Sequence, residues 1–133
     1  MENETVKIPV ELEPGKGFAA GNDLVFVPGF EASFTELFRN KVYTPGEIAY
    51  CERFAEPLLR YAATWAAKEA VYKALKQLDS SPAGWKKIEI LREKIGGQPH
   101  VIIHKNITPL NISLSISHDG DYVWAIALIG RKA

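Results

Sequence analysis

The chain has 133 residues, of which 47% are hydrophobic and 24% are charged, and this composition is typical of one globular domain rather than a disordered chain. Lysine plus arginine and aspartate plus glutamate number 16 each, so the balance argues against a general nucleic-acid binder without excluding a local phosphate-binding patch. The single cysteine, Cys51, excludes an internal disulfide framework and a cysteine-based zinc site, and we interpret it as a half-buried apolar side chain.

The N-terminal segment MENETVKIPVELEPGKG is acidic and interrupted by prolines and glycines. We therefore expect an N-terminal extension over residues 1–17 and one domain over residues 18–133. The extension has the pattern of neither a secretory signal nor an arginine-rich transit peptide. No apolar run approaches the roughly 20 residues that span a bilayer, so we expect a cytoplasmic protein.

The first half of the domain predicts one strand and three helices. The apolar segment AAGNDLVFV predicts a buried strand that starts near Gly21 and ends at Pro28-Gly29. A capping box predicts a helix from about Ser33 to Asn40, and Thr44 with Pro45 predicts the start of a second. Apolar residues spaced three, four and seven apart predict the longest helix, from Glu56 or Pro57 to about Leu78.

The second half of the domain predicts antiparallel strands. KKIEILR and HVIIH alternate across a glycine-containing turn, which is typical of a hairpin. ISLSISH alternates apolar residues with serine, HDGD predicts a tight turn, and YVWAIALI predicts a more fully buried strand. A strand followed by helices and then an antiparallel sheet indicates an α+β fold.

Asp23 is an acid inside the apolar segment GNDLVFV. A carboxylate in that setting loses hydration, so it must be paired, bound to a cation or protonated. A plainer interpretation places Asp23 at a strand end, where it caps a turn after Asn22. The residues alone leave both interpretations open.

The segment WAAKEAVYKAL places Glu69 and Lys73 four residues apart on one helix face, one turn after Trp65. As a surface ion pair in the favoured orientation they would contribute only about 0.3–0.5 kcal/mol. As a functional pair, Glu69 would be an oxygen ligand for magnesium and Lys73 a positive charge for a phosphate oxygen. Magnesium usually takes one or two protein carboxylates, a count that Asp23 and Glu69 meet, but spacing cannot show that they converge.

Histidines occur at two places in the predicted strands. His118 lies beside a predicted hairpin turn, where a histidine is usually solvated. Adjacent strand residues point to opposite faces, which disfavours a hydrolytic pair of Ser117 and His118. His100 and His104 share a strand face, and without a clear third ligand we interpret them as strand residues rather than a metal pair.

The same segments, taken in order, resemble the holo-acyl-carrier-protein synthase family of 4′-phosphopantetheinyl transferases. Asp23, TPGEIAYCERF, YAATWAAKEAVYKAL, IEILREKIGGQPHV and SLSISHDGDYVWAIALI carry the resemblance, which runs from about residue 18 to residue 130. It implies a fold in which an antiparallel sheet packs against one long helix and shorter helices. It also implies a homotrimer with active sites between neighbouring subunits.

The resemblance implies a magnesium-dependent transfer from coenzyme A to a serine of an apo acyl carrier protein or peptidyl carrier protein. Asp23 and Glu69 match the family's magnesium ligands. Lys73 matches the lysine near the coenzyme A phosphates, and Lys68 is a further candidate there. The carrier serine would attack the β-phosphate, 3′,5′-ADP would leave, and the serine proton would go to Glu69 or to a metal-bound water.

The resemblance also implies a site for the nucleotide part of coenzyme A. Ser117 and His118 match a segment that holds this part through its 3′-phosphate. Gly97 and Pro99 match the turn near the adenine.

The chain departs from the family pattern at positions that bear on carrier docking. Gly29 and Leu37 stand where relatives place basic residues, and KQLDSSPAGW replaces a glycine-rich stretch after the long helix. Asn22 and Asp119 are milder changes. These departures support an alternative, a non-catalytic relative that binds coenzyme A or a carrier protein. A third alternative is a magnesium-dependent phosphohydrolase, which would break down coenzyme A without an acceptor.

Overall fold

The computed structural model describes residues 17–81, 83–92, 97–106 and 109–132. The predicted N-terminal extension lies outside the described residues except for Gly17. The elements, in chain order, are β1 Phe18–Phe26, α1 Val27–Ser33, α2 Glu36–Val42, α3 Pro45–Cys51, α4 Pro57–Leu78, a 3-10 turn Trp85–Lys87, β2 Ile88–Leu91, β3 His100–Ile103, β4 Leu110–Asp119 and β5 Tyr122–Arg131.

The strands form two antiparallel sheets. One has the order β1-β5-β4, and the other pairs β2 with β3. The predicted α+β class is confirmed, although the strands do not form a single sheet. In the part of the chain that the structure describes, no helix is both long and apolar enough to cross a membrane.

The first strand and the first helix have different bounds from those predicted. The strand runs over Phe18–Phe26, and Pro28, which was expected to end it, lies in the first turn of α1. Proline suits a first helical turn because its fixed φ is helical and no intrahelical partner is needed for the missing N–H. The predicted Ser33–Asn40 helix is wrong at its start: Ser33 ends α1, and Thr35 caps α2 by accepting a hydrogen bond from Phe38 N at 3.1 Å.

The predicted start of α3 and both ends of α4 are confirmed. Thr44 and Glu47 form a capping box in which the Thr44 hydroxyl accepts from Glu47 N and the Glu47 carboxylate accepts from Thr44 N. The helix α4 runs over the 22 residues Pro57–Leu78. Its alanines are buried and allow close packing against the sheet.

The backbone of β1 lies unusually close to α4 at Gly21. A side-chain Cβ at this position would lie 2.1 Å from Ala70 O and 2.8 Å from Ala74 N. Only glycine permits this approach. The contact brings the middle of β1 onto the segment of α4 that carries Glu69 and Lys73.

The three-stranded sheet has one face against α4 and one open face. The prediction that β5 is more fully buried than β4 is confirmed, although the residues of β5 alternate between buried and exposed. We call the second face the open sheet face. It carries seven exposed large apolar side chains: Phe18, Leu24, Phe26, Tyr122, Trp124, Ile126 and Leu128.

Candidate active site

Asp23 and Glu69 line one cleft of about 480 Å³. Asp23 lies on β1, where it faces α4, and Glu69 lies on α4. The floor and walls of the cleft are mostly apolar and include Phe30, Phe38 and Trp65. The structure therefore brings together the two acids that the sequence placed 46 positions apart.

The two carboxylates influence each other. Burial raises the pKa of Glu69 from its ordinary 4.5 to about 7, and the charge of Asp23 adds to this rise, while Lys73 opposes it. Two acids in one partly desolvated cleft repel each other when both are ionised. A positive charge placed between them would relieve this repulsion.

Lys73 pairs with Asp23 rather than with Glu69. Its Nζ atom donates to Asp23 Oδ1 at 2.9 Å and to Asn22 O at 3.0 Å. The Lys73 side chain is half exposed, whereas that of Asp23 is mostly buried. The interpretation of Asp23 as a turn cap is wrong, because Asp23 lies within β1 opposite Ala125. Lys73 thus places a half-exposed positive charge beside Asp23, which lines the cleft.

The acid pair fits a magnesium ion by its donor chemistry. Two carboxylates supply hard oxygen ligands, and magnesium fills its remaining positions with water and phosphate oxygens. Among the described residues, no group of three or more His, Cys, Asp and Glu side chains forms a metal cage. A magnesium ion held by these two carboxylates would therefore take its other ligands from water or from a substrate such as a pyrophosphate.

A second cleft, of about 650 Å³, contains all four residues that the resemblance assigned to the nucleotide, and we call it the nucleotide cleft. Ser117 and His118 lie on β4, while Gly97 and Pro99 lie between β2 and β3. The distance between His118 Nε2 and Gly120 O is 3.0 Å. We call the first cleft, which Asp23 and Glu69 line, the acid cleft. The helix α4 lines the nucleotide cleft at Ala63 and the acid cleft at Glu69, so one helix borders both.

Two arginines of the nucleotide cleft were missed from the sequence. Arg60 lies 4.1 Å from the centre of the Phe54 ring, and Arg92 lies 5.0 Å from the centre of the Tyr50 ring. Both line the cleft, where they supply positive charge for a polyanionic ligand.

The structure contradicts the candidate role of Lys68 near the coenzyme A phosphates. Lys68 is 0% exposed, and its Nζ donates to both carboxylate oxygens of Glu47 and to Ile88 O. An ammonium group has three donors, and all three are used inside the protein. Adjacent residues on a helix face different directions, so Lys68 faces β2 while Glu69 faces the cleft.

The strand histidines do not form a metal pair in the described part of the chain. His104 Nε2 lies 2.8 Å from Glu89 Oε1, and the Thr44 hydroxyl donates to Glu89 Oε2 at 2.6 Å. His100 is exposed on β3. The interpretation of His100 as a strand residue is confirmed, whereas His104 lies just after the end of β3.

The raised pKa of Glu69 predicts a pH dependence of stability in the absence of divalent cations. Between its ordinary pKa of 4.5 and its folded pKa of about 7, Glu69 binds a proton more tightly in the folded state than in the unfolded state. Glu69 therefore lowers the free energy of unfolding as pH rises through this window. We expect Glu69→Gln to be more stable than the parent chain at pH 8 but not at pH 5 in EDTA.

Urea denaturation of both chains at the two pH values measures this effect. The test quantity is the difference in the free energy of unfolding between the two chains at each pH, because groups far from Glu69 contribute equally to both chains. A difference that does not change with pH would contradict the assigned pKa shift.

Comparisons with known proteins agree with the fold. Residues 19–127 match the model of the 4′-phosphopantetheinyl transferase superfamily. Holo-acyl-carrier-protein synthase of Moorella thermoacetica is 39% identical over 119 residues, which are 83% of this chain and 91% of that protein. The fatty acid synthase subunit alpha of Candida parapsilosis is 38% identical over 101 residues, 70% of this chain but only 5% of that much longer protein.

Among solved structures, the Chronobacterium ammoniagenes ACPS-CoA complex superposes with a TM-score of 0.74 at 28% identity, covering 87% of this chain and 98% of that one. The chain therefore belongs to the 4′-phosphopantetheinyl transferase superfamily, and within it to the holo-acyl-carrier-protein synthase family. The resemblance found in the sequence is confirmed at this level.

Proposed function

We propose that the chain transfers the 4′-phosphopantetheine group of coenzyme A to a serine of an apo acyl carrier protein, with magnesium, and releases 3′,5′-ADP. The observation that carries this proposal is the convergence of Asp23 and Glu69 in one cleft, with Lys73 paired to Asp23. The nucleotide cleft, which borders the same helix α4, supplies room and positive charge for the rest of coenzyme A.

The residues of the acid cleft suit phosphoryl transfer. Asp23 and Glu69 would hold the magnesium ion, which supplies Lewis-acid polarisation of the attacked phosphate. Lys73 lies beside Asp23 with half its side chain exposed, so its ammonium group can also reach a phosphate oxygen and stabilise charge developing on the leaving group. The carrier serine attacks the β-phosphorus, the pyrophosphate P–O bond breaks, and the bond electrons leave with 3′,5′-ADP.

The serine proton would go to Glu69 or to a metal-bound water. In the absence of a cation the pKa of Glu69 is raised to about 7, which suits a general base, and a magnesium ion held by Glu69 would oppose that rise. The nucleophile comes from the carrier, so no catalytic serine of this chain is required.

Mass spectrometry of candidate apo carrier proteins tests the proposal. After incubation with this chain, coenzyme A and magnesium, the carrier should gain the mass of one phosphopantetheine group. A carrier with its acceptor serine replaced by alanine, and a reaction in EDTA, should show no gain. Absence of a gain across a panel of carriers, with intact coenzyme A binding, would instead establish a non-catalytic binding protein.

The non-catalytic alternative rests on the surface near the acid cleft. Gly29 lines this cleft, and Leu37 is 78% exposed on α2, so neither position offers a positive charge to an acidic partner. Coenzyme A breakdown without any carrier would support the phosphohydrolase alternative.

We propose that the carrier belongs to fatty-acid synthesis and that the reaction takes place in the cytoplasm. The similarity to a fatty acid synthase subunit supports a carrier that belongs to fatty-acid synthesis. The identities of the carrier and of its pathway are decided by the same mass-spectrometric panel.

We further propose that the chain is a homotrimer and that the open sheet face forms its interface. Trp124 is 46% exposed and Leu24, its neighbour across the β1-β5 pair, is 61% exposed. A continuous apolar surface of this kind is uncommon on a monomer and marks a contact with another molecule. The flanking serines of β4, such as Ser115 opposite Ile126, give the face polar contacts as well.

The trimer predicts a specific response to a charge on the open sheet face. Replacing Trp124 with glutamate should give a protein that sediments as a single chain, because the substitution would place an unpaired charge in the interface. The parent chain should sediment at about three times that mass. Asn40→Glu, at an exposed position on α2, is the control and should leave the mass unchanged. A parent chain that sediments as a single chain at high concentration would contradict this assembly.

A further inference from the structure

Lys68 and Glu47 form an ion pair in the interior of the domain. The side chains are 0% and 1% exposed, and Lys68 Nζ lies 2.7 Å from Glu47 Oε1 and 2.9 Å from Glu47 Oε2. Charged residues are almost never fully buried unless they are paired, because burial removes their hydration. Burial lowers the pKa of the Lys68 ammonium group, and Glu47 opposes that shift.

The pair also binds the backbone of β2 on both sides of one residue. Lys68 Nζ donates to Ile88 O at 2.5 Å, and Glu47 Oε2 accepts from Ile90 N at 2.8 Å. Glu47 Oε1 accepts in addition from Thr44 N at 2.8 Å. The two side chains therefore join α3, α4 and β2 by four hydrogen bonds that are closed to solvent, in addition to the capping bond within α3.

The strand β2 leads directly into one wall of the nucleotide cleft. Arg92 follows β2, and Gly97 and Pro99 precede β3; all three line this cleft. The opposite wall is formed by α4 at Arg60 and Ala63 and by β4. The position of β2 relative to α4 thus sets the separation of the two walls.

We propose that Lys68 and Glu47 are a positioning pair, which holds the β2–β3 wall of the nucleotide cleft at a fixed distance from the helix that carries Glu69. The pair contacts neither substrate nor metal. It acts through the backbone of β2, and its place within the reaction rests on the function proposed above. The acid cleft is lined by residues of β1, α1, α2 and α4, and neither Lys68 nor Glu47 is among them.

Stability alone is a weak explanation for this pair. The cost of desolvating two charges offsets most of their attraction, and an apolar pair of similar volume is often as stable or more stable. Loss of one partner alone, by contrast, leaves an uncompensated buried charge. An apolar double substitution therefore separates positioning from stability.

The test compares the double variant Glu47→Leu/Lys68→Met with the parent chain. We expect the double variant to fold with a Tm within a few degrees of the parent, because no buried charge is left unpaired. Its Kd for coenzyme A and for 3′,5′-ADP, measured by calorimetry, should rise by about tenfold or more, because a loosened wall no longer matches the nucleotide. The rise in Tm on adding magnesium alone should stay as in the parent chain.

Kinetics give a second measurement when transfer is observed. The KM for coenzyme A should rise with its Kd, while kcat at saturating coenzyme A should stay within about threefold of the parent value, because the acid cleft is intact. Val71→Ala, another buried change on α4, is the matched control: it should lower the Tm without changing the Kd for either ligand.

The outcomes separate the two proposals. Parent-like nucleotide affinity in the stable double variant would overturn the positioning role. If the double variant fails to fold, Lys68→Arg serves in its place, since it keeps the charge but enlarges the group against Ile88 O and should raise the nucleotide Kd. Parent-like affinity in that variant also overturns the proposal. If the parent chain binds 3′,5′-ADP but modifies no carrier, the proposed transferase function fails while the affinity test of the pair still stands.

Discussion

Substitution of Asp23 with asparagine or Glu69 with glutamine should lower the rate of phosphopantetheine transfer by about a hundredfold to a thousandfold, which is the usual loss when one electrostatic group that stabilises the transition state is removed. Each substitution keeps the shape of the side chain but removes one of two carboxylates in the acid cleft. The measurement is kcat from the mass gain of the carrier, at saturating coenzyme A and magnesium.

Glu56→Gln is the matched control, since Glu56 is an exposed acid immediately before α4. It should keep the parent rate. Circular dichroism of each variant checks that the fold is kept. Parent rates in both the Asp23 and the Glu69 variants would remove the basis for a magnesium site here.

Replacement of Gly21 with alanine should destabilise the domain by about 3 kcal/mol or more, at the upper end of the usual cost of overpacking. The added Cβ would lie 2.1 Å from Ala70 O and 2.8 Å from Ala74 N, and both are backbone atoms that cannot move aside. The conflict can be relieved only by separating β1 from α4. Because β1 carries Asp23 and α4 carries Glu69, any folded fraction should also lose stabilisation by magnesium.

Gly84→Ala is the control for the glycine prediction. A Cβ at Gly84 would meet no atom within 4 Å, and its φ of −68° is open to any residue. It should leave stability unchanged or raise it by about 0.4–1 kcal/mol through the unfolded state. Urea denaturation of both variants gives the comparison, and equal effects at the two positions would contradict the close approach at Gly21.

Local signals in the sequence were sufficient for α3 and α4. The capping box of Thr44 and Glu47 and the proline at the start of α4 depend on neighbours a few residues away, so their geometry is encoded where it occurs. Pro28 was misinterpreted because a proline can end a strand or begin a helix, and the residues that follow Pro28 did not distinguish these two possibilities.

The role of Lys68 could not be predicted from its neighbours along the chain. The helix α4 is buried on most sides, so its lysines do not mark a solvent-facing stripe. The partner of Lys68 is Glu47, 21 positions earlier, and both bind β2, which comes later in the chain. Such a network forms only when α3, α4 and β2 pack together, and residue spacing along the sequence does not indicate that packing.

The convergence of Asp23 and Glu69 is a different case. Their residue types indicated a cation site, but only the resemblance to a family suggested that they meet. The physical reason for their convergence is Gly21, whose missing side chain brings β1 onto α4. The glycine was noted in the sequence only as the start of a strand.

The alternation of β1 assigns neighbouring residues to opposite sides of the sheet. Asp23 faces α4 and the chemistry, whereas Leu24, the next residue, faces outward from the open side. Leu24 and Phe26 of the open sheet face nevertheless line the acid cleft together with Asp23. A substitution on the outer surface at either position therefore also alters a wall of the cleft in which the two carboxylates lie.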